Sequence, residues 1–188
     1  MTRVALIAPL LVLVGLASAQ ARTLAGVDLP DSVVVDGTTL VLNGMGLRQA
    51  SIFHVKAYVG GLYLEQPTTD GRTVIDSGQP KRVTMEFLRD IDRDQLASGW
   101  ADELKKVGSE MGGETPEGGI AQFTSMIPDV KKGDTMSFTS RPGAGIEVAK
   151  NNQVRGTVPG DDFARTLFTL WFGPKPGDEN LKRGMLGK

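Results

Sequence analysis

The sequence predicts an α+β domain with a mainly antiparallel β-sheet. Three observations predict it. Short β-prone runs alternate with turn signals from 33 to 88 and again from 135 to 158. The segments 96–107 and 163–171 switch to the period of a helix. The blocks run strands, helices, strands, helices, which is not the alternation of βαβ units.

The elements follow in order. Val33–Val35 and Thr39–Leu42 flank Asp36-Gly37, a strong hairpin signal. Asn43 to Gly46 reads as a glycine-rich turn. Ile52 to Leu64 is the longest β-like run. Gly60-Gly61 within it signals a bulge or a close backbone approach. Thr73–Ile75 and Arg82–Leu88 read as further strands. Leu96, Trp100, Leu104 and Val107 then fall on one helical stripe, with Asp92 or Asp94 as candidate caps. Gly112-Gly113 ends that helix. Ile120–Ile127 reads as a shorter helix. Thr135–Ser140, Gly145–Ala149 and Val154–Val158 read as three strands, the last two joined at Asn151-Asn152, since Asn tolerates positive φ. Phe163, Leu167, Leu170 and Trp171 form another apolar stripe, stopped by Pro174 and Pro176. Asp178 caps a final short helix ending near Leu186.

Length and composition bound the rest. The chain has 188 residues, enough for one well-buried domain. Its start, Met1-Thr2-Arg3, an apolar run from Val4 to Leu16, and small residues up to Ala21, has the pattern of a cleavable secretory signal. The expectation is a signal peptide over 1–19, cleaved after 19 or 21, and a single domain over 20–188. A periplasmic or secreted location follows from that reading. No later run is long enough for stable membrane insertion. There is no cysteine, so no disulfide is available and the core alone must hold the fold. Lys+Arg number 21 against 22 Asp+Glu, which gives no polybasic drive toward nucleic acid.

Little in the sequence points to metal or cofactor chemistry. One histidine and no cysteine make a poor zinc set, so no metal is expected. Gly44-Met45-Gly46 lacks the following helix and third glycine of a phosphate loop, so no cofactor is expected. No Ser stands in a G-x-S-x-G turn. The polar residues of 48–58 are more informative. Alternation puts Phe53, Val55, Ala57 and Val59 on one strand face, facing the helix layer, and Ile52, His54, Lys56 and Tyr58 on the other. That second face is either half-solvated or the wall of a cleft. In a cleft, an arginine supplies a permanent charged fork for an anion and a tyrosine adds a donor.

The segment LNGMGLRQASIFHVKAYVGGLYLE, residues 42–65, resembles the signature of chalcone isomerase-like proteins. Arg82-Val83-Thr84-Met85 before the 96–107 helix also fits. FARTLFTLWFGPKPGDENLKRGMLG, residues 163–187, resembles the close of an exported bacterial branch of that family. The resemblance implies a large, mainly antiparallel β-sheet with helices packed on one face, an open-faced β-sandwich, and a ligand cleft between the layers. It also implies one of two activities. Plant chalcone isomerases close a flavonoid ring, whereas non-catalytic relatives hold a fatty-acid carboxylate with an arginine and a tyrosine. Arg48 falls at the family's arginine. Tyr58 falls where the enzymes carry threonine and the binders tyrosine. The enzymes need a further tyrosine near the start of the next helix, where this chain offers Asp92, Asp94, Gln95 and Leu96. The expectation is therefore a non-catalytic protein whose partner is a small amphipathic carboxylate or fatty acid. Arg48 and Tyr58 hold its head, with Lys56 and His54 at the rim. The alternatives are an isomerase or intramolecular lyase on an enone-like substrate, using Arg48 and Tyr58, and a structural envelope protein without ligand.

Overall fold

In the computed structural model, residues 21–50, 55–111 and 117–188 are described. The signal pattern, His54 with its neighbours Ile52 and Phe53, and the Gly112-Gly113 helix stop lie outside the described residues. Positive-φ turns set the strand order. Asp36 and Gly37 take φ 48° and 82°, and close a hairpin between β3 (Ser32–Val35) and β4 (Thr38–Ala50). Asn151 and Asn152, at 49° and 63°, close another between β8 (Gly145–Lys150) and β9 (Gln153–Val158). With β5 (Val55–Leu64), β6 (Lys81–Phe87) and β7 (Thr135–Arg141), these strands form a seven-stranded antiparallel sheet in sequence order, β3 to β9.

One face of the sheet carries the helices. They are α1 (Gly71–Asp76), α2 (Arg93–Glu110), α3 (Glu117–Ser125), α4 (Asp161–Phe172) and α5 (Glu179–Met185). The stripes predicted for α2 and α4 are the buried ones: Leu96, Trp100, Leu104 and Val107 on α2, and Phe163, Leu167, Leu170 and Trp171 on α4. The other face of β4 and β5 is covered by a hairpin of β1 (Ala21–Leu24) and β2 (Val27–Pro30), which the sequence reading did not anticipate. Val27 and Leu29 pack there with Leu40, Leu42, Val59 and Tyr63.

Three sequence expectations are corrected. Asn43–Gly46 is not a turn but the middle of the 13-residue strand β4. Its glycines serve close approach: a Cβ on Gly44 would lie 2.8 Å from Met185 O, and one on Gly46 2.9 Å from Leu181 Cα. The backbone of α5 therefore lies directly on β4. Thr73–Ile75 is helical, not extended. Asp70 caps α1 by accepting from Arg72 N and Thr73 N, and that capping outweighs the β-branched preference of Thr73, Val74 and Ile75. Finally, two face assignments in β5 are exchanged: Val59 faces the β1–β2 hairpin rather than the helices, and Tyr58 faces the helices rather than away from them.

The last correction has a cause. Arg48 pairs with Tyr58 but Gln49 pairs with Lys56, so Ala57 is an extra residue in β5. This β-bulge breaks the alternation, because two consecutive residues oppose one on the partner strand. Ala57 and Tyr58 both join the helix-side core, followed by Leu62 and Leu64. Gly60-Gly61 marks close approach instead: a Cβ on Gly60 would meet Leu181 and Met185, and one on Gly61 would meet Leu29. A second register shift between Leu42 and Gly44 leaves Asn43 unpaired in the ladder. Its side chain donates to Met185 O at 2.8 Å and accepts from Thr68 N at 2.8 Å, tying α5 to the sheet.

Candidate functional site

Strand pairing puts Arg48 and Tyr58 directly opposite each other on adjacent strands. Side chains of such a pair stand on one face of the sheet. Here it is the helix face, and both line one cavity of about 210 Å³ between sheet and helices. Helix α2 contributes Leu96, Trp100 and Glu103, α4 contributes Leu170 and Trp171, and the α4–α5 connection contributes Pro176, Gly177 and Asp178. The lining is mainly apolar, with its charges gathered at Arg48.

Arg48 is held from three directions. Its Nη1 donates to Gly177 O. Asp178 Oδ2 lies 3.9 Å from Nη1, and Glu103 Oε1 lies 3.6 Å from Nη2. Asp178 is itself fixed. Its Oδ1 accepts from Asn180 N and Leu181 N, capping α5, and its Oδ2 accepts from Gln49 N on β4. The predicted cap is thus also a strap between the last helix and the arginine's own strand.

Tyr58 is 8% exposed and meets Phe87 edge-on at a centroid distance of 5.8 Å. Burial pushes its hydroxyl up to about 12, against the lowering influence of Arg48 and the Trp171 indole. A tyrosine so placed stays protonated through the physiological range and can donate. The Trp171 indole Nε1 is buried without a hydrogen-bond partner of good geometry among the described residues. It is near enough to the Tyr58 hydroxyl to act on it electrostatically, but it does not complete a hydrogen bond. A buried orphan donor is uncommon, and costs free energy unless something accepts from it.

The other two predicted residues do not join this pair. Lys56 is exposed and lies outside the cavity lining, because the bulge at Ala57 falls between it and Tyr58. His54 lies outside the described residues. Sequence reasoning did not assign Glu103, Trp171 or Gly177 to the site. Glu103 had a faint signal: it follows Trp100 by three positions, a charge on the flank of a buried stripe. Trp171 was read as core, which it is; only its unpaired Nε1 marks it as more. The second tyrosine, Tyr63, faces the opposite side and donates to Pro30 O at 3.0 Å.

A family model described as chalcone isomerase-like matches residues 21–187. The chain belongs to the chalcone isomerase-like family. Among solved structures, a fatty-acid binding protein of Arabidopsis thaliana superposes with a TM-score of 0.76 at 17% sequence identity, covering 89% of this chain and 96% of the plant chain. At that identity the likeness speaks for the fold. Among curated proteins, none matches significantly. The chalcone isomerase-like fold of this chain is thus an antiparallel sheet with helices on one face and a cavity between the layers. No helix among the described residues is long and apolar enough to cross a membrane.

Proposed function

We propose that this family member is an exported binding protein for a small amphipathic carboxylate, with Arg48 and Tyr58 receiving the head group. The observation that carries the reading is the convergence of an arginine and a buried, protonated tyrosine in one mainly apolar cavity. Trp171 Nε1 offers a further donor beside Tyr58. The description of the Arabidopsis neighbour as a fatty-acid binding protein supports the ligand class. Export rests on the N-terminal signal pattern alone.

Cavity size limits the ligand. At about 210 Å³ it falls below the roughly 300–1,000 Å³ of pockets that enclose drug-sized ligands. The head and the first few methylenes fit as the cavity stands, and a longer tail must emerge at the rim or open the layer. Each methylene that is buried contributes about 0.8 kcal/mol, so even a short chain gives useful affinity.

Isomerase chemistry is less favoured. A general acid or base works best with a pKa near the working pH, and Tyr58 is displaced to about 12. The start of α2 gives the cavity Gln95 and Leu96, not the further tyrosine of the enzymes. Thermal-shift measurements across fatty acids of two to sixteen carbons, with native mass spectrometry of the purified protein, test the reading. Stabilisation by short and medium chains supports it. No stabilisation by any carboxylate, and no co-purified ligand, refutes it.

A further inference from the structure

Arg48 in this cavity is already neutralised, and more than neutralised. One guanidinium faces two carboxylates, Glu103 and Asp178. An entering carboxylate would meet a local net charge of minus one. Like charges this close repel, and the repulsion is stronger where the surroundings are apolar. A carboxylate ligand therefore needs one of the two acids to yield.

The two differ in how free they are to do so. Asp178 caps α5 with two hydrogen bonds, at 2.9 and 3.0 Å, and takes a third from β4. Its side chain is only 12% exposed. Moving it would uncap a helix and loosen the strap to the strand. Glu103 stands on α2 at the cavity rim, with its side chain 39% exposed. Its 3.6 Å approach to Arg48 is an ion pair longer than a good hydrogen bond. Gly177 is packed against the same groups. A Cβ there would lie 3.1 Å from Glu103 Oε1 and 3.3 Å from Arg48 Nη1, so the backbone holds the guanidinium from behind. Gly177 O and Asp178 orient Arg48, and Glu103 covers its remaining face.

We propose that Glu103 is a displaceable internal competitor, a carboxylate occupying the ligand's place on Arg48, and that it sets the site's preference for head-group charge. This rests on the carboxylate-binding reading above. A ligand carboxylate binds by sending Glu103 out to solvent while Arg48 stays fixed. An uncharged head need not displace it. Removing the Glu103 charge should therefore favour anionic ligands selectively.

Octanoate and 1-octanol, titrated calorimetrically into the wild-type protein and into Glu103→Gln, test this. Octanoate should bind Glu103→Gln about three- to tenfold more tightly, the scale of losing one competing, partly exposed ion pair. Octanol should change by less than about twofold on the same scale. Glu103→Asp, one methylene shorter, should lie between, and the melting temperatures of all three proteins report whether each is folded. Octanoate binding that is equal or weaker in Glu103→Gln overturns the inference and leaves the carboxylate reading standing. Equal tightening for both probes also overturns it, since the effect would then be space rather than charge. Binding of octanoate by neither protein removes both.

Discussion

Replacing Gly46 by alanine should loosen α5 from the sheet. The new Cβ would lie 2.9 Å from both the Cα and the carbonyl carbon of Leu181, and closer still to its oxygen. Carbon atoms pack comfortably at about 3.5–4.0 Å, so α5 must rise by about 0.6–1 Å. Leu181, Met185 and Leu186 are each at most 2% exposed beneath it. Burial of such a side chain is worth about 1.5–3 kcal/mol, and a gap of this size forfeits about a quarter to a half of its contact energy. Three side chains together give a loss of about 1–4 kcal/mol, centred near 2–3, within the range seen for overpacking. For a domain of this size that lowers Tm by roughly 4–12 °C. Urea denaturation and calorimetry measure it, with Gly78→Ala as the control, since a Cβ at Gly78 meets nothing within 4 Å. A Gly46→Ala protein within about 0.5 kcal/mol of wild type, the ordinary range for a surface change, would refute close packing as the reason for that glycine.

Other outcomes follow from the same structure. Burial pushes both tyrosines, Tyr58 and Tyr63, up to about 12, so tyrosinate absorbance should be absent from the native protein at pH 10.5 and present after unfolding. The folded protein then holds more protons than the unfolded chain between pH 10 and about 12, and stability should fall across that window. Lys81 has the opposite sign. It is 3% exposed, donates to Ile75 O and Ser77 O, and burial lowers it from 10.5 to about 8. The unfolded chain holds the extra proton between pH 8 and 10.5, so stability should rise through that range, and Lys81→Met should flatten the rise. Urea midpoints from pH 7 to 12 read both limbs; a curve flat from 8 to 10 would contradict the Lys81 assignment.

What the sequence disclosed, and what it hid, has a physical pattern. The hairpins at Asp36-Gly37 and Asn151-Asn152 were legible because their turns need positive φ, a local demand that particular residues meet. The α2 and α4 stripes were legible because burial on one side of a helix imposes its period on the chain. Gly44 and Gly46 misled because close approach by a distant helix and a tight turn call for the same residue. The bulge at Ala57 left no mark at all: alternation continues through it in sequence while the backbone skips. It turned Tyr58 toward the helices, off the face that alternation makes it share with Lys56, and turned Val59 toward the β1–β2 hairpin. At the site, Arg48 and Tyr58 were reached through the family signature. Glu103, Gly177 and the orphan Nε1 of Trp171 depend on segments more than 40 residues away in the chain, and only packing brings them together.

The proposed role of Arg48, as anchor of an anionic head group, is open to direct measurement. Calorimetric titration of octanoate into wild type and Arg48→Ala measures this most directly. A hydrogen bond to a charged group is worth about 1.5–3 kcal/mol, so the substitution should weaken octanoate binding by roughly 10- to 100-fold and leave 1-octanol nearly unchanged. Octanoate bound with the same affinity by both proteins would contradict it.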